Sequence, residues 1–327
     1  MYLIYLSGLF PKLAEAEAET KLKLLSCSYE KKWPFIFFDT NKNKIANLDK
    51  LGMAHSVHKV LTKTKKSRIY EKIASMPKIR KKFAVRIKTI DQKISEKDKK
   101  KITDAVWNNS TKRVDLENPE KIITIFILTK DIIITEKTFD IDKGFLKTSA
   151  PYRKPITLDP RIARAMANLT GLRHGCVLDP FCGTGLLLKE AGIVGLRCYG
   201  SDMSKEMIEG AKKNFSYFKL RGIFKQGDAT DLKRVWKRTF DAVVTDPPYG
   251  ISTSLFKKNV VHLYSKSIES IYEVTKPDGK IVIVVPDKIT KTFIKKVKKI
   301  GLETKYMIYQ RVHKSLSRYF FVLKKLE

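Results

Sequence analysis

Apolar residues follow two different patterns along this chain. From Cys176 onward, short apolar runs alternate with longer segments whose apolar positions recur at helical spacing. That order is expected of strands connected through helices into a largely parallel sheet. The spacing predicts strands near Cys176–Leu178, Arg197–Gly200, Gly222–Lys225, Ala242–Thr245, Lys280–Val285, Thr304–Gln310 and Tyr319–Leu323. It predicts helices near Leu186–Ile193, Lys205–Phe218, Phe256–Val274 and Thr290–Ile300. Ile281-Val282-Ile283-Val284-Val285 is apolar throughout, so it should be buried on both faces. Lys276-Pro277-Asp278-Gly279, just before it, predicts a turn.

The earlier half reads as α+β. Strands are expected at Tyr2–Leu6, Phe35–Phe38 and Phe83–Lys88, and helices at Pro11–Leu25 and Lys99–Trp107. Two apolar strands, Ile122–Leu128 and Ile132–Thr135, follow, with Thr129-Lys130-Asp131 as a hairpin turn. Gly144, Pro151, Pro155 and Pro160 then resist regular structure and mark a boundary. Asp159-Pro160 has the chemistry of a helix start, with Asp as N-cap and Pro in the first turn.

Charge changes the picture. Sixty-six Lys+Arg against 34 Asp+Glu leave +32 over 327 residues. Such a surplus repels itself unless a polyanion is near, which argues for nucleic acid. The steepest stretch is 51–100, where Lys63, Lys65, Lys66, Arg68, Lys72, Lys78, Arg80, Lys81 and Lys82 accompany only Glu71 between positions 63 and 82. The competing reading is a solvated lysine-rich surface. A late basic group, Arg311, His313, Lys314 and Arg318, could likewise touch phosphate or form a solvated edge.

Other residues restrict the class. Cys27, Cys176, Cys182 and Cys198 show no C-x-x-C spacing, so no zinc site is expected, and so few suggest a reducing compartment. His55 and His58 lie three apart on a possible helix, but a surface or core role is favoured because no third ligand is near. Met1–Leu6 lacks a basic flank and a cleavage site and reads as a strand. No run approaches the ~20 apolar residues of a membrane span. The expectation is a cytoplasmic monomer with no membrane and no metal.

The first candidate site is Asp179-Pro180-Phe181-Cys182-Gly183-Thr184-Gly185, between a strand and a helix. Glycines there let backbone amides approach a ligand, in the crevice where open α/β sheets bind one. The dinucleotide fingerprint is incomplete, because Leu188 stands where its third glycine belongs. An acidic residue within the turn repels pyrophosphate and attracts an ammonium or sulfonium group, which points to S-adenosylmethionine. Asp202, followed by Met203 at the next strand end, is placed to accept ribose hydroxyls. Asp228, with the Ala229 amide beside it, is placed to meet an adenine edge. The alternative is that Asp is simply frequent in turns and caps.

The second candidate is Asp246-Pro247-Pro248-Tyr249-Gly250, after the fourth strand. An exocyclic amine on a nucleobase is a poor nucleophile, because its lone pair is delocalised into the ring. Two acceptors holding its hydrogens turn that lone pair towards a methyl donor. The Asp246 carboxylate and the Pro247 carbonyl can be those acceptors, Pro247 and Pro248 can brace the backbone, and Tyr249 can stack on the base. Catalysis of this kind is positioning plus electrostatics. The alternative is a proline-rich turn with Tyr249 in the core.

The pairing of these two motifs resembles the amino-methyltransferases of the class I S-adenosylmethionine-dependent group. Val114-Asp115-Leu116-Glu117-Asn118-Pro119 with the strands after it looks like the end of a THUMP domain, an RNA-binding module. Residues 1–50 look like the ferredoxin-like element that accompanies one. Arg153-Lys154-Pro155, with Leu158-Asp159-Pro160-Arg161 and the helix it opens, looks like the connector of the archaeal tRNA (guanine-10) methyltransferases.

The resemblance implies four regions: a ferredoxin-like region at 1–50, a THUMP domain at 51–140, a linker at 141–160, and a Rossmann-like methyltransferase domain at 161–327. The last should hold a seven-stranded sheet with an antiparallel final strand. Implied roles are catalysis for Asp246, Pro247, Pro248 and Tyr249. Cofactor binding is implied for Asp179, Pro180, Gly183, Gly185, Asp202, Met203, Asp228 and Ala229. Lys63, Lys65, Lys66, Arg68, Arg80, Lys81 and Lys82 are candidates for RNA contact. The reaction implied is methylation, once or twice, of the 2-amino group of guanine 10 in tRNA. Alternatives are another tRNA position, ribosomal RNA, DNA, or a non-catalytic RNA-binding protein with a vestigial site.

Overall fold

The computed structural model describes residues 1–111, 113–147, 150–152, 158–249, 254–313 and 316–326. The chain divides into two compact units, neither of them continuous in sequence. One comprises Met1–Leu6, Ser28–Asp49 and Ala54–Ile141. The other comprises Ser7–Cys27, Lys50–Met53 and Asp142–Glu327.

The first unit is built on a seven-stranded sheet. Its strands are β1 (Tyr2–Leu6), β2 (Tyr29–Lys32), β3 (Phe35–Phe38), β4 (Ala54–Lys65), β5 (Phe83–Thr89), β6 (Lys121–Ile127) and β7 (Asp131–Asp140). Their order is β2-β3-β1-β4-β7-β6-β5, and only β5 and β6 run parallel. Helix Glu96–Asn108 is capped by Ser95, whose hydroxyl accepts from the Asp98 amide at 3.1 Å. Its Ile102 and Val106 enter a core with Ile125, Ile127 and Ile134.

Strand β4 corrects the sequence reading. Residues 54–65 look polar and basic, yet they form a twelve-residue strand between β1 and β7. His55 and His58 therefore stand on a strand and not on a helix. His58 is a core histidine held on both sides. Its Nε2 lies 2.7 Å from Ser56 Oγ and its Nδ1 3.0 Å from Thr135 Oγ1. Because Thr135 donates its hydrogen to the Thr124 carbonyl at 2.9 Å, it accepts from Nδ1, which leaves Nε2 to accept from Ser56. Burial pushes the imidazole pKa down to about 3, assisted by Lys88 and Lys137.

The second unit carries β8 (Cys176–Asp179), β9 (Arg197–Asp202), β10 (Gly222–Gln226), β11 (Phe240–Thr245), β12 (Thr275–Pro286), β13 (Leu302–His313) and β14 (Leu316–Lys325). The order is β10-β9-β8-β11-β12-β14-β13. The first five are parallel and β14 runs against its neighbours. Seven strands with an antiparallel last one are what the resemblance implied. All five residues of Ile281–Val285 are buried, as their unbroken apolar run requires.

The expected turn at Lys276–Gly279 lies inside β12. Thr275 pairs with Phe240, and the next pair is Lys280 with Ala242, so the turn bulges out between them with Asp278 at φ 60. Helix Pro160–Leu169 starts as its sequence dictates, with Asp159 accepting from the Arg161 amide at 2.8 Å. Helix Pro11–Leu24 is also part of this unit. Its Glu17 accepts from the amides of Gly52 (2.7 Å) and Met53 (2.8 Å) and from Asn168 Nδ2 (2.6 Å).

Candidate active site

The parallel strands deliver their carboxyl ends to one edge of the sheet, and both sequence motifs sit there. After β8 the chain turns through Pro180–Gly185. Gly183 (φ +49) and Gly185 (φ +78) take left-handed backbone that other residues adopt at a cost. A Cβ at Gly183 would find no heavy atom within 4 Å, so a side chain there would project into open space. Gly185 caps helix Leu186–Ile193.

A cavity of about 270 Å³ opens beside this turn, lined among others by Asp179, Phe181, Gly183, Leu187, Met207 and Asp246. The glycine turn and the Asp-Pro-Pro-Tyr loop thus share one cleft. Asp202 supports it from β9, with Oδ2 accepting from the Gly183 amide (2.9 Å) and Oδ1 from Ser204 (2.9 Å). Pro180 is buried beneath the turn, and Met203 is 69 % exposed beside Asp202. Asp228 and Ala229 stand beyond the end of β10 and do not line this cavity. The Asp228 carboxylate closes a tight turn by accepting from Thr230 at 2.8 Å.

Asp179 is buried, and its Oδ1 accepts from the Phe181 amide (3.0 Å) and the Thr245 hydroxyl (2.7 Å). Burial raises its pKa to about 7, with the nearby Asp246 and Asp202 adding to the rise and the two hydrogen bonds opposing it. A carboxyl poised this way gains most from a cationic group. Cys182, buried beside it, has a thiol pushed well up by burial and by the Asp179 and Asp202 carboxylates, which leaves it inert.

At the Asp-Pro-Pro-Tyr loop, both expected acceptors are already hydrogen-bonded by tyrosines. The Tyr249 hydroxyl donates to Asp246 Oδ1 in a short contact. The Tyr264 hydroxyl donates to the Pro247 carbonyl at 3.1 Å. Arg318, from β14, donates from Nη1 to Tyr249 Oη at 2.6 Å and lies 3.9 Å from Asp246 Oδ2. Its Nε donates to Gln310 Oε1 of β13 at 2.7 Å. Burial raises the Asp246 pKa, while the Tyr249 bond and the Arg318 charge pull it down. Pro248 is exposed, and Gly250 lies outside the described residues.

Thr245, Tyr264, Gln310 and Arg318 were not singled out for this site by sequence. Arg318 is not a solvated edge: it is 7 % exposed and faces the Asp-Pro-Pro-Tyr loop. The available signal was parity, since Arg318 shares a strand face with the buried Phe320 and Val322. Lys314 of the same basic group lies outside the described residues, as does Arg153-Lys154-Pro155.

The basic candidates of the first unit fall into two places. Lys63, Lys65 and Arg68 join Lys32 and Lys72 around a cavity of about 420 Å³. Lys63 Nζ sits 3.4 Å from the Phe37 ring centroid, and Lys65 and Lys32 both contact Asp131 (2.8 and 3.2 Å). Lys66 instead donates to Gln92 in a short contact. Arg80, Lys81 and Lys82 stand exposed just before β5, outside that cavity. Among the described residues no group of His, Cys, Asp and Glu could hold a metal ion, and no helix is long and apolar enough to cross a membrane.

Known proteins bear on this geometry. A family model described as RMKL-like, methyltransferase domain matches residues 148–318, which span both motifs. A second, described as DNA methylase, matches residues 20–213 and stops before Asp246. The chain is 35% identical to a tRNA (guanine(10)-N2)-dimethyltransferase of Pyrococcus abyssi over 99% of both chains. It is 31% identical to that of Methanothermobacter thermautotrophicus over 76% of this chain and 74% of the relative.

Solved structures agree on fold. TrmN from Thermus thermophilus aligns over 99% of both chains with a TM-score of 0.61 and 18% identity. SMU.472, solved in complex with SAH, aligns over 100% of this chain and 98% of its own with a TM-score of 0.55 and 15% identity. With its motifs in one cleft and a relative matched end to end, the chain belongs to the tRNA (guanine(10)-N2)-dimethyltransferase family.

Proposed function

We propose that this protein methylates the 2-amino group of guanine at position 10 of tRNA, using S-adenosylmethionine. One observation carries the reading: Asp246 and the glycine turn line the same cleft. The donor set fits the cofactor. Asp179 suits its cationic amino acid end, the Gly183–Gly185 turn gives backbone access, and Asp202 and Met203 beside that turn suit a nucleoside. S-adenosylmethionine, when bound, supplies an electrophilic methyl group.

Everything else is done by the chain. The Asp246 carboxylate and the Pro247 carbonyl take the two amine hydrogens, so the nitrogen lone pair is freed from the ring and aimed. The hydroxyl of Tyr249 leaves Asp246, and its ring lies against the base. As the nitrogen gains its methyl group it becomes acidic, and its proton passes to Asp246 or to water. Preorganised acceptors of this kind act through position and charge, with little reorganisation at the moment of reaction.

We assign RNA holding to the first unit, reading its sheet with the 51–140 region as a THUMP-type module. The cations around the Phe37 cavity suit phosphate, and recognition of this kind works by backbone and shape. A guanine paired in a stem must leave its stack to reach Asp246. We place the reaction in the cytoplasm, with the protein acting as a monomer. Transfer of labelled methyl from S-adenosylmethionine to tRNA, followed by nucleoside analysis, tests the proposal. N2-methylated guanosine at position 10 is the expected product, whereas label confined to DNA or ribosomal RNA would refute it.

A further inference from the structure

We infer that Arg318 and Asp246 together read the ring edge of guanine, and that the Tyr249 hydroxyl occupies the place of that edge in this structure. The inference rests on the proposed methylation of guanine and names how the base is chosen.

Tyr249 Oη donates to the Asp246 carboxylate and accepts from Arg318 Nη1. One atom thus offers a donor to the carboxylate and an acceptor to the guanidinium. Guanine offers the same two functions side by side, N1–H as donor and O6 as acceptor, with the reactive amine flanking N1–H. With that amine between Asp246 and the Pro247 carbonyl, one carboxylate oxygen meets an amine hydrogen and the other meets N1–H. The guanidinium, 3.9 Å from Asp246 Oδ2, then meets O6. Its bonds to Gln310 and Tyr249 use two of five N–H donors, and the second is released when Tyr249 moves.

The same frame rejects other amines. Adenine and cytosine carry a bare ring nitrogen beside the exocyclic amine, and two acceptors would then face each other at Asp246. Adenine would also present C–H to Arg318. Because Arg318 is 7 % exposed, water compensates little for a missing partner, and such mismatches are costly.

Charge supports base reading over assistance to the chemical step. The nitrogen becomes more positive during transfer, so the Arg318 charge opposes that step directly and helps it only by keeping Asp246 ionised. Arg318 is nevertheless built in with care: Gln310, its register partner on β13, holds Nε, and the Phe320 ring lies 5.3 Å from the guanidinium.

The test uses tRNA with either guanine or 2-aminopurine at position 10. 2-Aminopurine keeps the 2-amino group but lacks N1–H and O6. The wild-type protein should prefer guanine roughly a hundredfold or more in kcat/KM. Arg318→Met should cut that preference at least about tenfold, by slowing guanine far more than 2-aminopurine. Arg318→Lys, which keeps the charge without the fork, should also reduce it, and serves if the Met variant misfolds. Calorimetry with S-adenosylmethionine checks that each variant keeps its cofactor cleft.

A structural role would slow both substrates equally, so an unchanged preference in both variants would overturn the inference alone. Equal wild-type rates on the two substrates would do the same. A wild-type protein that binds S-adenosylmethionine but leaves guanine 10 unmodified would overturn the functional reading as well.

Discussion

Thr245 donates its hydroxyl hydrogen to Asp179 Oδ1 across 2.7 Å, joining the last residue of β11 to the last residue of β8. The carboxyl proposed to meet the cofactor is therefore tied to the strand that carries the Asp-Pro-Pro-Tyr loop. Asp179 titrates at about 7, so it is mostly protonated at about pH 6 and mostly ionised at about pH 8. A cationic ligand binds the ionised form, and affinity for S-adenosylmethionine should rise between these values and then level off. Thr245→Val removes a bond that lowers this pKa, so the curve should move to higher pH. Asp179→Asn should flatten it. Calorimetric titration across this range reads all three, and a flat wild-type curve would refute the assignment.

Asp246→Asn retains size but offers a weaker, neutral acceptor. Methyl transfer should fall by about 10²–10³-fold in kcat, the scale seen when one preorganised polar partner is removed. Binding of tRNA should persist, since the basic cavity belongs to the other unit. Single-turnover rates with a parallel tRNA-binding measurement separate the two effects. Equal loss of both would mean that Asp246 supports the fold instead.

His58 makes the first unit sensitive to acid. Its pKa is about 3 when folded and about 6.5 when free. Above pH ~6.5 both states are neutral and the stabilisation is complete. As the pH falls below that, the unfolded chain takes up a proton that the folded one refuses, and stability declines. Linkage puts the total loss at up to roughly 5 kcal/mol by pH ~3. Denaturation midpoints of wild-type and His58→Gln protein between about pH 4 and 7 would show it. Parallel pH slopes in the two would contradict the account.

The cations around Phe37 should act as a group. Neutralising Lys63, Lys65 and Arg68 should weaken tRNA binding and lower its salt slope by about one unit for each phosphate no longer neutralised. Changing Arg80, Lys81 and Lys82, which stand apart, measures how much of that effect is bulk charge. Binding titrations over a range of salt decide it: identical slopes would make the cavity an ordinary surface.

Much of the catalytic unit was legible in the chain. Strand ends followed by glycine, aspartate or proline announce turns at which side-chain chemistry is exposed, and the apolar run at Ile281–Val285 can only be a central strand. The helix at Leu186–Ile193 begins and ends where its spacing predicts. What stayed hidden has a physical cause in each case. Strand β4 buries Ser56 and His58, which satisfy each other in a way that only the folded sheet reveals. Its far half carries exposed lysines, so no apolar alternation marks it. Arg318 reaches Tyr249 from 69 residues away, and no local motif encodes a bond made by strand pairing. The turn at Lys276–Gly279 has correct local chemistry, but the ladder resumes around it.

Helix Pro11–Leu24 and Lys50–Met53 are grouped with residues from Asp142 onward, which are translated well after them. The ribosome thus releases part of the catalytic half well before the rest, and that half stays unfinished until the later segment has been made. A fragment beginning at 142 would lack Glu17 and leave the Asn168 amide without its carboxylate. Recombinant excision at the proline-rich boundary should therefore yield an insoluble product, whereas co-expression with a segment covering residues 1–53 should rescue it.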